Sequence, residues 1–409
     1  MTIVAHRITV AAVRATYIAF IGHGFAFANW AARIPQVRDR LHLTPAALGL
    51  VLLAIAAGSL IALPLAGVIV HRFSARRTVA AMALLVGIAL IIVAAGYQLG
   101  VVPVLVGLSL FGFSSGAWDV AMNVHAAAAE RRVGRSIMPR FHAGWSIGTV
   151  AGALFGSAMV ALHIAVTAHL LIVAVIVATV VPSNVRRFLP DTEAGHAVTD
   201  PPSASSGALR RWREPRTLLI GLFVLAFAFA EGTGNDWISV ALIDGYDAPA
   251  VVGTLGFATF LTAMTATRWF GPGLLDRYGR VRVLRSLAVV AVIGLVVFVF
   301  GGAIPLAFVG VLLWGIGTSL GFPVGMSAAA DDPVAAATRV SVVASIAYCA
   351  FLGGPPLIGF LGNQITVLRA LMAVAVLLGV ALMIADCLRP LRTDPAGARP
   401  STSEQPRGS

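Results

Sequence analysis

The sequence predicts an all-α membrane protein with twelve transmembrane helices in two pseudo-symmetric six-helix bundles. Three observations predict this fold: the composition, the regular recurrence of apolar segments and an internal repeat. Of the 409 residues, 58% are hydrophobic and 11% are charged, whereas a soluble domain carries about 25% charged residues. A chain this apolar is typical of a polytopic membrane protein, so the lipid bilayer is its first expected partner.

Apolar segments recur along the whole chain, each bounded by glycine, proline or arginine. They are roughly 18 to 26 residues long, which at ~1.5 Å per residue is enough to cross the hydrocarbon core. In the first half the predicted spans are 9–32, 46–70, 78–96, 101–127, 139–161 and 165–182. In the second half they are 216–241, 249–271, 281–302, 304–328, 338–361 and 363–388.

The longest polar interruption separates the two sets of six spans. It contains Pro201-Pro202-Ser203-Ala204-Ser205-Ser206-Gly207, a composition typical of a flexible linker. The last residues are rich in Pro, Ser and Gly and are expected to be disordered. The predicted organisation is an N-terminal bundle (1–182), a cytoplasmic linker (183–215), a C-terminal bundle (216–390) and a cytoplasmic tail (391–409).

The two halves repeat each other in the order and spacing of short motifs. This indicates a duplication about an axis along the membrane normal, which is typical of transporters. In the first half the motifs are Asn29-Trp30, Leu48-Gly49 and the Gly/Arg-rich stretch 67–77; in the second they are Asn235-Asp236-Trp237, Val252-Gly253 and the stretch 273–282.

The arginines predict the orientation of the chain. There is no lysine, so the net charge of +12 comes from arginine alone. Most arginines fall in loops of one parity, meaning every second loop along the chain, and these loops all lie on the same side of the membrane. The positive-inside rule makes that side the cytoplasmic one, so we expect both termini in the cytoplasm and the protein in the inner membrane. Nucleic acid is not an expected partner, because the basic residues do not gather on a polar domain. The arginines of that parity are Arg72, Arg76, Arg77, Arg131, Arg132, Arg135 and those of 186–213 and 277–285, and the other parity holds mainly Arg33, Arg38 and Arg40.

The fourth span carries the most informative polar group, Asp119. Ser115, Asp119 and Asn123 follow each other at one-turn intervals and share one helix face. An ionised residue at this depth costs roughly 3 kcal/mol, so it is expected to face a partner or a water-filled path. We predict that Asp119 couples transport to protons and that Asn123 binds substrate. The alternative is a protonated aspartic acid that only holds neighbouring helices together.

The seventh span supplies a second polar set. Glu231 and Asn235 lie one turn apart, and Gly232 and Gly234 between them are expected to weaken the helix locally. Glu231 is predicted as the second proton-coupling acid and Asn235 as a substrate-binding residue.

Other polar residues complete the candidate site. Asp236 is predicted to belong to an outer gate or to pair with Arg33, and Asn29 is its equivalent in the first span. His142 and Trp145, at the start of the fifth span, are candidates for lining the same cavity as Asp119. For His142 a structural, hydrogen-bonded role stays open. Asn29, His142 and Trp145 are predicted substrate-binding residues.

The Gly/Arg-rich loops and three further stretches resemble the major facilitator superfamily, over nearly the whole chain. The closer resemblance is to the branch of the fucose–proton symporter and its YbjJ-type inner-membrane permeases. In that symporter a carboxylate followed by an Asn in the fourth span is implicated in proton coupling and sugar binding, and Asp119 and Asn123 match these positions. The symporter's other acid lies in the first span, where this chain has His23 and Asn29. The three stretches are Trp118-Asp119-Val120-Ala121-Met122-Asn123, Ala230-Glu231-Gly232-Thr233-Gly234-Asn235-Asp236-Trp237 and Thr338-Arg339-Val340-Ser341.

The resemblance also implies a cytoplasmic latch, meaning a set of charged loop residues that closes the inner side. Asp276 is expected to pair with an arginine across a helix end, and Arg72, Arg277 and Arg280 lie in the same two loops. Arg268, one turn before the second loop, is expected to reach the inner surface and join them. A plain role in orienting the chain is the alternative for the loop arginines.

These features favour a secondary active transporter of a small polar solute, sugar-like or another metabolite, driven by proton symport through alternating access. Two alternatives stay open: a proton-driven exporter of drugs or metabolites, and a non-transporting scaffold or sensor. An enzyme is not expected, because the sequence has no nucleophile–base set and no phosphate-binding loop. The histidines do not fall at metal-ligand spacings, so neither metal nor cofactor is expected. The partners are the solute and protons, and we expect a monomer.

Overall fold

The computed structural model describes residues 3–134, 137–189, 211–331 and 336–390. The predicted tail 391–409 and the residues 190–210 of the predicted linker lie outside the described residues, so the boundaries of the predicted domains stay predictions. The described part of the chain is helical and contains no strand.

Twelve segments of the described residues are long and apolar enough to cross a membrane, which confirms the predicted number of spans. Spans one, ten and twelve each consist of two helices, and the short helix α10 lies between spans eight and nine. Spans one to twelve are, in order, α1–α2, α3, α4, α5, α6, α7, α8, α9, α11, α12–α13, α14 and α15–α16. The helices are α1 (Ile3–Ala31), α2 (Ile34–Arg40), α3 (Pro45–Phe73), α4 (Ala75–Leu99), α5 (Val101–Val133), α6 (Met138–Ala161), α7 (Val166–Val185), α8 (Pro215–Tyr246), α9 (Ala250–Phe270), α10 (Pro272–Tyr278), α11 (Arg280–Phe300), α12 (Ile304–Thr318), α13 (Gly321–Ala329), α14 (Ala336–Ile365), α15 (Val367–Ala370) and α16 (Met372–Ile384), with a 3₁₀ turn at Ala385–Leu388.

Span four is longer than its apolar segment. The sequence predicts a helix over 101–127, but the helix continues to Val133 because Glu130 and the arginines after it are also good helix formers. It ends at Gly134, whose φ of 71° is a left-handed conformation that suits glycine. The Glu130 carboxylate then accepts the backbone N–H groups of Ile137 and Met138, both at 2.6 Å. This contact fixes the start of span five against the end of span four.

Small residues allow the helices of each half to pack backbone against backbone. A Cβ atom on Gly112 of span four would lie 1.9 Å from the Ile55 carbonyl oxygen of span two. A Cβ atom on Gly148 of span five would lie 2.2 Å from the Ile21 carbonyl oxygen of span one. Any side chain at either position would therefore push two helices apart, as in other small-residue interfaces of membrane proteins.

The two halves meet mainly through span two against span eleven and span five against span eight. We call the face at which span six ends (Val185) and span seven begins (Pro215) the linker side, and the other face the opposite side. Near the opposite side, a Cβ atom on Gly49 would lie 2.4 Å from the Pro355 carbonyl oxygen, and one on Gly359 would lie 2.4 Å from the Pro45 carbonyl oxygen. The halves are thus in backbone contact at that face.

A buried histidine holds the residues that follow span six. The Leu189 N–H donates to His125 Nε2 at 2.9 Å, so the hydrogen of the neutral ring is on Nδ1 and donates to Thr16 Oγ1 at 3.1 Å. The Thr16 hydroxyl donates in turn to the Ala12 carbonyl at 2.9 Å. Phe188 stacks on the His125 ring with 3.6 Å between centroids. Both ring nitrogens of His125 are therefore bonded.

On the linker side, Asp331 ties together the ends of four spans. It accepts hydrogen bonds from Arg216 at 2.9 Å and from Arg280 at 2.9 Å, and Arg280 also donates to the Leu388 carbonyl. Burial raises the pKa of Asp331, but the hydrogen bonds from Arg280 and Arg216 outweigh it, so the pKa of this carboxyl lies below its ordinary value. These bonds hold Arg280 inside the second half in this conformation, and its part in the latch stays a prediction.

We expect Asp331→Asn to lower the stability of the second half by roughly 1–3 kcal/mol at neutral pH, because two arginines lose a charged acceptor. A carboxylate with a lowered pKa stabilises the fold above its unfolded pKa of about 4 and loses that effect as the pH falls. The unfolding temperature of the variant should therefore fall less on acidification than that of the wild type.

The measurement is a thermal melt of purified protein in detergent between neutral and acidic pH. Asp276→Asn is the matched control, because Asp276 is exposed and forms no ion pair with another described residue. Equal pH dependence of Asp331→Asn and wild type would contradict the assignment.

Candidate functional site

Asp119 lies near the middle of span four, a helix of 33 residues, and its side chain is half-buried. Asn123 Nδ2 donates to the Asp119 carboxylate at 3.2 Å and to the Asp119 carbonyl at 2.9 Å, so the predicted shared face is confirmed. No arginine forms an ion pair with Asp119 in the described part of the chain. The Tyr348 hydroxyl of span eleven lies within electrostatic range of the carboxyl. Asp119 is thus placed where the two halves face each other.

A polar stripe on span eleven leads from the linker side toward Asp119. Ser341, Ser345 and Tyr348 are exposed and follow each other at one-turn spacing, so they share one helix face. Tyr348, at 37% exposure, is the member nearest Asp119. Hydroxyl groups therefore lie along this face from the linker side to the middle of the bundle.

Glu231 of span seven is paired, and its partner is Arg268 of span eight. The two side chains form an ion pair at 2.7 Å, and Arg268 Nε also donates to the Ser319 carbonyl of span ten at 2.9 Å. Arg268 was predicted to extend to the inner surface and join the latch. The structure corrects this prediction, because the guanidinium turns inward to balance a carboxylate inside the second half. Whether Glu231 couples transport to protons stays a prediction.

The local unwinding expected around the glycines of span seven does not occur, since the helix runs without a break from Pro215 to Tyr246. Instead, the glycines make room for aromatic rings. A Cβ atom on Gly234 would lie 2.6 Å from the Phe260 ring, and one on Gly232 would lie 3.3 Å from the Phe351 ring. Their role in this conformation is close packing.

Asn235 and Asp236 follow on the same span. The Asn235 side-chain oxygen is buried without a hydrogen-bond partner. Asp236 is half-buried and forms no ion pair with any described residue. The predicted pair of Asp236 with Arg33 is wrong, because Arg33 is directed into the first half. There it donates to His169 Nδ1 at 2.7 Å and to the Ile164 carbonyl at 2.9 Å.

Asn29 is fully buried and both ends of its side chain are bonded. Because Arg33 donates to His169 Nδ1, the ring hydrogen is on Nε2 and donates to the Asn29 oxygen at 2.7 Å. Asn29 Nδ2 donates to the Phe25 carbonyl at 2.8 Å. In this conformation both ends of the Asn29 side chain are engaged within the first half, and its binding of substrate stays a prediction. The residue completes a buried chain of hydrogen bonds between spans one and six.

His142 and Trp145 lie at the linker-side end of span five. His142 is exposed, contacts Phe20 edge-on at 5.2 Å between centroids, and lies within electrostatic range of Arg268 across the two halves. Trp145 is half-buried. Neither forms a hydrogen bond to Asp119, so the grouping of these residues in one binding site stays a prediction.

The predicted latch residues are exposed on the linker side. Arg72 lies over the Phe73 ring at 5.7 Å and Arg277 over the Tyr278 ring at 5.2 Å. Asp276 has no ion-pair partner among the described residues. In this conformation the loops therefore do not close the linker side, and their role as a latch stays a prediction.

The ion pair that does join the halves was not predicted. Arg38 of span one forms a two-pronged ion pair with Asp244 of span seven, with Nη2 at 2.8 Å from one carboxylate oxygen, and Asp39 accepts from the same guanidinium. No hydrogen bond between described residues joins the halves on the linker side. Arg38 was visible in the sequence as one of few arginines on its side, but nothing there identified Asp244 as its partner.

Comparisons with known proteins agree with this architecture. The family model of the Major Facilitator Superfamily matches residues 16–353. An uncharacterized transporter of Sinorhizobium fredii is 32% identical over 378 residues, covering 90% of this chain and 96% of the relative. The nucleoside transporter NupG has a TM-score of 0.73 at 14% identity, covering 93% of this chain and 98% of NupG. FucP in its outward conformation has a TM-score of 0.61 at 16% identity, covering 93% and 99%.

The sequence match spans most of both chains, and the solved structures share the fold. The resemblance predicted from the loop motifs is thereby confirmed. This chain belongs to the major facilitator superfamily: it is a multi-pass membrane transporter and not an enzyme.

Proposed function

We propose that this protein is a proton-coupled symporter of a small polar solute, in which Asp119 carries the proton. The observation that supports this most is the position of Asp119: mid-membrane, between the halves, with an amide and a nearby hydroxyl but no arginine paired to it in the described residues. The arginine-rich linker side faces the cytoplasm by the positive-inside rule, and the protein works as a monomer.

The chemistry follows from the surroundings of the carboxylate. An ionised carboxyl in the membrane interior is costly unless water or a cation reaches it. Asp119 is therefore ionised when the cavity is open to water and carries a proton when the cavity is closed. Because a charge on the Asp119 carboxylate opposes closure of the cavity, the cavity closes with Asp119 protonated. The solute bound in the cavity crosses in the same movement, together with the proton.

Alternating access is supported by the asymmetry of the contacts between the halves. On the opposite side the halves are joined by Arg38–Asp244 and by the close backbone approaches at Gly49 and Gly359. On the linker side the polar stripe of span eleven is exposed. This conformation is the inward-facing one, and the outward-facing one requires these contacts to separate as one half rocks on the other.

Glu231 is proposed as the second acid of the mechanism. In the inward-facing conformation Arg268 balances its charge at 2.7 Å, so the pair as a whole is neutral. Arg268 also lies within electrostatic range of His142 on the other half. When the halves rock, the distance between Arg268 and His142 changes. The strength of the ion pair between Arg268 and Glu231 changes with it.

For the solute, we propose a sugar-like molecule bound by Asn123, Asn235, His142 and Trp145. Two proteins of this fold are described as a nucleoside transporter and a fucose:proton symporter. L-fucose and uridine are therefore the first solutes to test, followed by other neutral polyols and then by carboxylic acids.

Asp119→Asn should abolish proton-driven accumulation but keep solute exchange, because the amide is similar in shape and hydrogen bonding but cannot carry a proton. The measurement is uptake into proteoliposomes with and without an imposed pH gradient, and exchange at equal pH. The matched control is Asp247→Asn, because Asp247 is exposed beyond the end of span seven and its left-handed backbone suits Asn.

A variant that still accumulates solute against its gradient would contradict the role of Asp119. If a gradient that is acidic outside the vesicles, established with the protein oriented as in cells, drives solute out while protons enter, the protein is an exporter. Wild-type protein that moves no solute in either direction would contradict the proposed function itself.

Disrupting Arg38–Asp244 should shift the protein toward the outward-facing state. The pair is partly exposed, with Asp244 at 40%, so its contribution is about 1 kcal/mol, or about a fivefold change in the ratio of the two states. The expected result for Arg38→Ala is a longer distance between spin labels attached at Arg40 and Asp247, measured by pulsed electron resonance.

The labels need a background in which Cys349 and Cys387 are replaced by Ser. The double variant Arg38→Asp with Asp244→Arg reverses the pair and should restore the short distance. Arg369→Ala is the control, because Arg369 lies at the same face but its side chain has no partner in the other half. An unchanged distance in Arg38→Ala would show that the pair does not hold the gate.

A further inference from the structure

His23 of span one is a buried histidine without hydrogen-bond partners. Both ring nitrogens are shielded from solvent by the surrounding side chains, yet neither has a partner within bonding distance. A neutral imidazole has one donor and one acceptor, and polar groups buried in proteins are almost always bonded. The other two buried histidines described above, His125 and His169, follow that rule at both nitrogens. His23 therefore needs a separate explanation.

The neighbours of His23 share the same property. Its ring lies 5.3 Å from the Trp118 ring of span four, centroid to centroid. The Trp118 indole nitrogen is also buried without a partner, and so is the Ser115 hydroxyl one turn earlier on that span. Asp119 comes directly after Trp118. Two unbonded polar side chains, His23 and Trp118, thus lie against each other beside the carboxylate that the proposed mechanism uses, and a third, Ser115, lies one turn from Asp119 on the same helix face.

Packing alone does not account for this cluster. A buried polar group without a partner lowers the stability of a fold, and the adjacent side chains of His23 and Trp118 both carry this cost. The cost is removed when a polar molecule occupies the space between them. The available chemistry is one donor and one acceptor from imidazole, one donor from indole, and a hydroxyl that serves as either.

We propose that His23, Trp118 and Ser115 form the hydrogen-bonding wall of the central site, on spans one and four. In this site His23 directly contacts a neutral solute that carries hydroxyl groups. A hydroxyl both donates and accepts, which matches the mixed donors and acceptors of this wall. None of the three side chains adds a fixed charge to bind an ionic group. The contact with solute rests on the proposed transport function, whereas the hydration of His23 does not.

The first experiment labels histidines of the purified protein with diethylpyrocarbonate, a water-borne reagent that attacks imidazole nitrogen, and reads each site by mass spectrometry. His142 is the exposed reference, and His125 and His169 are the matched buried controls. We expect His23 to react at least about tenfold faster than the two controls, since their nitrogens are freed only by local opening. Labelling of His23 as slow as that of His125 would overturn the proposal, whatever the outcome of the transport assays.

The second experiment compares two variants in the uptake assay, with L-fucose, uridine and the other neutral polyols as solutes. His23→Phe keeps a ring against Trp118 but removes both nitrogens, and His23→Gln keeps a donor and an acceptor. Loss of one hydrogen bond should raise KM roughly 3- to 10-fold in His23→Phe, and His23→Gln should recover part of it. The maximal rate and the unfolding temperature should change little.

An unchanged KM in His23→Phe, with a solute that the wild type transports, would overturn the contact while leaving the transporter intact. If the wild type transports none of these neutral solutes, the neutral class is overturned, and the labelling result still decides whether His23 faces the cavity. Failure of the proposed proton coupling is detected separately, through Asp119→Asn.

Discussion

A polar or charged side chain in the membrane interior must find a partner within the protein, because neither lipid nor bulk water supplies one. Most of this structure obeys that constraint by pairing inside one half. Arg33 is bound by His169 and a carbonyl, and Arg268 by Glu231 and another carbonyl. These networks satisfy the donors of both guanidinium groups within one half, and the Arg268–Glu231 pair also balances its charges, so these bonds need not break when a half moves as a body.

Some of the exceptions to the constraint lie on spans one and four, close to Asp119. Asp119 has one amide partner, and the nitrogens of His23 and Trp118 and the hydroxyl of Ser115 have none. Buried polar groups without a partner also occur elsewhere among the described residues, as at Asn235 and Thr233, but here they adjoin a carboxylate. This is the place where, in the proposed mechanism, water, a proton and a solute are accommodated. The same residues are therefore unfavourable for folding and useful for transport, as is common at functional sites.

The sequence predicted well what depends on neighbours along one helix, and poorly what depends on neighbours in space. Twelve spans follow from segment length, and the Asp119–Asn123 contact follows from one-turn spacing. Which face of an apolar helix points to the cavity does not follow from the sequence, because spans buried among other helices are apolar all round. His23 and Asn29 show the consequence. They are six residues apart, or about 240° around the helix, so their side chains point in different directions. The sequence analysis selected Asn29, whose side chain is bonded within the first half, and did not select His23.

Pairing across the bundle was the least predictable feature for the same reason. The analysis joined Arg33 to Asp236, and the structure joins Arg38 to Asp244, which are displaced by five and eight residues on the same two spans. Hydropathy and charge are consistent with either ion pair. The Arg38–Asp244 pair forms because the short helix α2 turns Arg38 toward span seven.

That choice has a mechanistic consequence. An ion pair at the rim, partly reached by water, can open at a cost of about 1 kcal/mol, whereas a pair buried as deeply as Arg33 would cost several times more to separate. The position of Arg38–Asp244 therefore gives the outer face a closure weak enough to reverse in each cycle. In the proposed mechanism, the balance between the two conformations is then set by the groups around Asp119, where the proton and the solute act.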